Sequence, residues 1–122
     1  MITEDFVSFE VAKLLKEKGF DYPTLHYYYD KDGDLVFSWN IGAGKNEFVA
    51  PTLQMAMKWL RGMGWFICII PLAFYCGEVA CKFGYNIWAG DNPEIDEFNT
   101  PKFNTYEEAC EDGIKYCLEN LI

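Results

Sequence analysis

Pro51-Thr52-Leu53-Gln54-Met55-Ala56-Met57-Lys58-Trp59-Leu60-Arg61-Gly62 decides how the rest of the chain divides. Its polar residues before the end, Gln54, Lys58 and Arg61, fall on one narrow stripe of an α-helix. Leu53, Met55, Ala56, Met57, Trp59 and Leu60 cover the remaining surface, so this helix is expected to be the most buried in the chain. Thr52 can accept from a free backbone N–H of the first turn, and Gly62 and Gly64 end the period.

The phrase that opens this helix occurs twice more. Ser8-Phe9-Glu10-Val11-Ala12 and Thr105-Tyr106-Glu107-Glu108-Ala109 share its order of hydroxyl, bulky apolar residue, acid or amide, any residue, alanine. The upstream copy predicts a helix from about Phe9 to Lys18. Val11, Leu14 and Leu15 share a face opposite Glu10, Lys13 and Glu17, and Gly19 supplies a left-handed stop. The downstream copy, with Glu108 three residues after Thr105, reads as a full capping box. Its helix has an apolar face of Tyr106, Ala109, Cys110, Gly113, Ile114, Cys117 and Leu121. Glu111 and Lys115 are ordered for an i,i+4 ion pair, and the charge of this helix marks it as the outer one.

Between the helices lie strand patterns. Leu25 to Tyr29 and Leu35 to Asn40 are joined by the hairpin turn Asp30-Lys31-Asp32-Gly33-Asp34, and Phe48-Val49 reads as a short strand. A second pair is expected from Phe66 to Ile70 and from about Val79 to Trp88, with Gly84 marking a bulge. Gly90 to Asn104 carries Pro93, Pro101 and several acids without a period, and reads as a loop. The order α-β-β-α-β-β-α predicts an α+β fold, with an antiparallel sheet of about four strands and helices packed on one face. Its 122 residues suffice for one domain, residues 1–122, with its own core.

The net charge is −9, of which Asp91 to Ile122 carries −7 through nine acids and two lysines. Such a field repels phosphate backbones, so direct nucleic-acid binding is not expected. The most apolar run, Trp65 to Cys76, is too short for a membrane helix and contains Pro71, and no export signal precedes it; a cytoplasmic protein without membrane contact is expected. The five cysteines, Cys68, Cys76, Cys81, Cys110 and Cys117, are odd in number and contain no C-x-x-C pair. They read as buried thiols rather than as disulfides or metal ligands.

Three motifs invite chemistry and fall short of it. Asp30 to Asp34 begins like a calcium loop, yet its glycine is fourth instead of sixth and the twelfth residue is Ile41 instead of glutamate. Gly42-Ala43-Gly44-Lys45 lacks the earlier glycine of a phosphate loop, where Trp39 stands, and has Asn46 in place of Ser or Thr. His26 is the sole histidine, and a thiol enzyme would need Cys68 or Cys81 beside it. No catalytic residue, cofactor or metal is expected. The aromatic set Tyr27, Tyr28, Tyr29, Phe37, Trp39, Phe83, Tyr85 and Trp88 is read as half core and half exposed patch, the latter suited to a protein interface.

The segments Phe9 to Phe20, Pro51 to Arg61 and Asn104 to Ile122 together resemble small uncharacterised proteins of gut-bacterial genomes and prophage-like mobile elements. The resemblance carries no activity and no functional residue. The expected function is therefore a small non-enzymatic interaction module that binds a protein partner, or self-associates through its aromatic sheet face or an edge strand. An acidic inhibitor that mimics nucleic acid is the second expectation, and a small enzyme using His26 with a cysteine the third. Partner-binding candidates are Asp91, Glu94, Asp96, Glu97, Glu108, Glu111 and Asp112.

Overall fold

Each repeated hydroxyl takes its hydrogen bond from the helix it opens. In the computed structural model, which describes residues 5–20, 26–38, 47–72 and 82–122, Ser8 Oγ accepts from Val11 N at 3.2 Å, Thr52 Oγ1 from Met55 N at 3.2 Å, and Thr105 Oγ1 from Glu108 N at 3.1 Å. The helices are α1 (Phe9–Glu17), α2 (Leu53–Gly62) and α3 (Tyr106–Tyr116), the last running on into a π-helical turn, Cys117–Leu121. Gly19 takes the left-handed φ of 94° that stops α1, and Phe20 folds back with its N–H on the Leu15 carbonyl. At the start of α3 the Glu108 carboxylate accepts from the Thr105 hydroxyl itself.

Among the described residues six strands form: β1 (Tyr27–Tyr29), β2 (Leu35–Phe37), β3 (Phe48–Val49), β4 (Trp65–Pro71), β5 (Phe83–Ala89) and β6 (Asn92–Ile95). The class is α+β, as expected, but the strands make two antiparallel sheets of three instead of one of about four. The orders are β2-β1-β3 and β4-β5-β6. Asp30 closes the β1–β2 turn: its side chain accepts from Asp32 N and Asp34 N, as a hairpin and not a calcium loop requires. The expected strand ends at residue 25, residues 39–40 and residues 79–81, and the loop at 41–46, lie outside the described residues.

Two strand expectations need correction. Asn92–Ile95 is a strand, although it falls in the segment read as a loop. The turn Gly90-Asp91 lays it antiparallel on β5, and Pro93 is tolerated because β6 is an edge. Gly84 pairs regularly with Ile70, and the irregularity lies between Ile87 and Trp88. Glycine is needed at 84 for space: a Cβ there would meet Leu72 Cδ1 at 3.1 Å and the Glu97 carbonyl oxygen at 3.3 Å.

The core joins the three described helices to the second sheet. Val11, Leu15, Ala56, Leu60, Ile87, Cys110, Ile114, Cys117 and Leu118 are fully buried. Helix α3 is not an outer helix: it packs on β4, β5, α1 and α2, and Gly113 lets it approach so closely that an added Cβ would lie 3.0 Å from Ile67 Cγ2. Its acids occupy the remaining stripe. The first sheet attaches through Phe9 of α1, whose ring meets Tyr29 and Phe48 at centroid distances of 5.6 and 5.7 Å.

Residues 5–8 stitch these parts together. Phe6 bridges Thr52, Asp5 O accepts from Leu53 N, Val7 N donates to Pro51 O, and the Tyr29 hydroxyl donates to Val7 O. No helix among the described residues is long and apolar enough to cross a membrane.

Candidate functional site

The acidic stripe of α3 does not face open solvent alone. Residues from the 5–8 segment and from the starts of α1 and α2 line, together with it, a groove of about 660 Å³. Among the described residues six carboxylates line it: Asp5, Glu10, Glu107, Glu108, Glu111 and Asp112. Among the described lining residues Lys115 is the one cation, and Phe6, Leu53 and Phe103 are the apolar members. The groove therefore combines strong negative potential with a surface that can pack against hydrocarbon.

Glu111 and Asp112 are held in place from other elements of the fold. The backbone N–H of Ser8 donates to both oxygens of Glu111, at 3.1 and 3.3 Å. Burial pushes the Glu111 carboxyl above the usual carboxylate range, and the Ser8 hydrogen bonds pull back against that shift. Asp112 accepts from the Tyr85 hydroxyl at 2.7 Å. Burial first, and then this hydrogen bond, raise the Tyr85 phenol far above its ordinary value, so it stays a donor. The expected Glu111–Lys115 pair does not form. Lys115 reaches Glu10 on α1 at 3.0 Å and Glu119 at 3.8 Å, because Glu111 is turned toward Ser8.

Of the seven acids singled out from sequence, the groove gathers Glu108, Glu111 and Asp112. Asp91 and Glu94 are exposed at the β5–β6 turn and on β6. Asp96 is used locally, its Oδ1 accepting from Phe98 N and Asn99 N. Glu97 accepts from Asn86 Nδ2 at 3.3 Å, and its carbonyl takes Lys102 Nζ at 2.7 Å. Sequence reasoning missed Asp5, Phe6, Glu10, Leu53 and Phe103, which come from four separate segments and carry no shared local signal.

The imidazole and the described thiols sit on different elements. His26 Nδ1 is 2.9 Å from the Ser38 carbonyl oxygen on the first sheet. Cys110 and Cys117 are buried in the helical core, where burial drives their thiols up to about 11 and about 12, away from thiolate. Cys68 corrects the expectation of buried thiols: it is exposed, on the outward row of β4. Cys76 and Cys81 lie outside the described residues. Among the described residues no group of three or more His, Cys, Asp or Glu could hold a metal ion.

The aromatic set is also divided. Tyr85 is core, Tyr27 and Phe37 pair on the exposed side of the first sheet, and Trp88 lies on the second. Among the described residues no single aromatic face joins them, and Trp39 lies outside those residues. Comparison of the chain with protein families, with curated proteins and with solved structures finds no match.

Proposed function

We propose that this chain is a small non-enzymatic protein-interaction module, and that its groove takes a basic, amphipathic segment of a partner protein. The observation that carries the reading is that, among the described residues, six carboxylates and the Lys115 ammonium meet Phe6, Leu53 and Phe103 in one groove. A lysine or arginine side chain suits such a place: its stem packs on apolar surface while its head stays with the carboxylates. Glu111 and Asp112 are pre-positioned by Ser8 and Tyr85, which lowers the ordering cost of binding. Rim carboxylates such as Glu107 steer a basic partner and set the salt dependence of the encounter. The mimicry of nucleic acid has less support, since Asp96 and Glu97 hold a turn together and lie away from the groove.

The test is a titration of the isotopically labelled chain with a short peptide of alternating lysine and leucine, followed by amide NMR shifts. Shifts are expected at residues 5–10 and 103–115, with affinity reduced about tenfold by the Glu107→Gln/Glu108→Gln double variant. Absence of shifts at millimolar peptide, or an unchanged affinity in the double variant, refutes the reading.

A further inference from the structure

We propose that β4 is a self-pairing edge: two copies of this chain join β4 to β4, antiparallel about Cys68, and fuse two three-stranded sheets into one of six. This inference is independent of the groove. It begins with the order β4-β5-β6, which places β4 at the margin of its sheet.

The direction of its backbone groups follows from the far side of β5. Phe83 exchanges both backbone hydrogen bonds with Phe103, each at 2.8 Å, so Phe83 turns away from β4. Pro71, opposite Phe83, is then in a non-hydrogen-bonded pair, and alternation makes Ile70–Gly84, Cys68–Asn86 and Phe66–Trp88 the hydrogen-bonded ones. Leu72 N donating to Lys82 O at 2.7 Å fits the same parity. The N–H and C=O groups of Trp65, Ile67 and Ile69, and the carbonyl of Pro71, therefore point to the outer edge. Among the described residues, no backbone hydrogen bond from another element reaches them.

Such an edge is normally blunted by charge, by proline, by a bulge or by shortness, and the proline of this strand, Pro71, stands only at its last position. This one is seven residues long, Trp-Phe-Ile-Cys-Ile-Ile-Pro, regular in register and without a charge, in a chain whose net charge is −9. A second copy fits it better than a foreign strand, because the row is self-complementary. A two-fold axis at Cys68 sets Ile67 against Ile69 of the second copy, with both exchanging N–H and C=O bonds. Trp65 then donates to Pro71 of the second copy, which lacks an N–H and needs only to accept. Exposed Phe66 lies against the second copy's Ile70 on the outward face. Cys68 meets its own counterpart in a non-hydrogen-bonded pair, with Cα atoms about 4.5 Å apart, inside the range of roughly 4.4–6.8 Å that a disulfide spans. Among the described residues β4 is the one long edge strand without a charge, so a seam along it opposes no like charges in this acidic chain.

Sedimentation velocity from micromolar to submillimolar protein should show a reversible dimer. Cys68→Lys opposes two ammonium groups at the axis and should raise the dimer dissociation constant at least about tenfold, while Cys68→Ser leaves it within a factor of about two. Copper–phenanthroline oxidation of the unaltered chain should give a reducible dimer that Cys68→Ser abolishes and Cys76→Ser/Cys81→Ser does not; this readout stands even if Cys68→Lys fails to fold. A monomer throughout, a dimer indifferent to Cys68→Lys, or a cross-link that survives Cys68→Ser overturns the proposal. None of these outcomes alters the peptide titration of the groove.

Discussion

Glu111 sits under opposed influences, and the balance has a measurable sign. Burial raises its pKa above the ordinary 4.5, the two Ser8 hydrogen bonds lower it, and the net direction is upward. A carboxyl whose pKa is higher folded than unfolded holds its proton more tightly in the native state. Its contribution to stability is complete below the unfolded value and is lost as pH rises through the folded one. Glu111→Gln keeps an acceptor for Ser8 N and removes the charge. Thermal midpoints measured from pH 3.5 to 8 should therefore coincide at the acidic end, with the unaltered chain falling below Glu111→Gln as pH rises past the ordinary glutamate range. A gap that is constant across the series would mean that the ionisation of Glu111 is not felt. At this same scale the caps were the most readable feature: Ser8, Thr52 and Thr105 each announce a local hydrogen bond within three residues. Cys68 was not readable, because whether a strand residue faces in or out depends on which side of the sheet the helices cover.

Among the elements, α3 and β4 are pressed together at one point. Gly113 faces Ile67 with no room for a Cβ beyond 3.0 Å, and Tyr85 stands 3.5 Å away on the other flank. Ile67 is β-branched and buried, so it has little freedom to move aside. Gly113→Val should cost about 2–3 kcal/mol in chemical denaturation, the scale of an overpacked core, despite the better helix propensity of valine. A loss below about 0.5 kcal/mol would show that the helix can shift outward at little cost. In sequence, Gly113 was assigned to the apolar face of its helix, but nothing there named Ile67 as its neighbour. The strand β6 was missed for a related reason. Asn92-Pro93-Glu94-Ile95 has poor strand propensity and no alternation, and its extended form comes from the Gly90-Asp91 turn and the ladder to β5. The groove was half legible, since the acids of α3 stand in one run, while Asp5, Phe6 and Leu53 arrive from elsewhere.

For the whole molecule, negative charge is concentrated where α3 meets residues 5–10, and most of it opposes the folded state by self-repulsion. Raising sodium chloride from about 10 to 300 mM shortens the Debye length from roughly 30 Å to below 8 Å. The thermal midpoint should rise over that interval, and dimerisation through β4 should strengthen with it, while a basic peptide binds less tightly. A midpoint that falls with salt would place favourable ion pairs such as Lys115–Glu10 above the repulsion in weight. The stitch at residues 5–8 carries one further consequence. The Ser8 N–H meets Glu111 across 103 positions, and Lys18 Nζ meets the carbonyl of Ile122 across 104. Neither contact can close while a nascent chain is still threading the ribosome's exit tunnel below residue 111. The early helix and the first hairpin must wait, partly dressed, for a helix not yet made; their assembly is slowed by the distance in sequence that its closing contacts span.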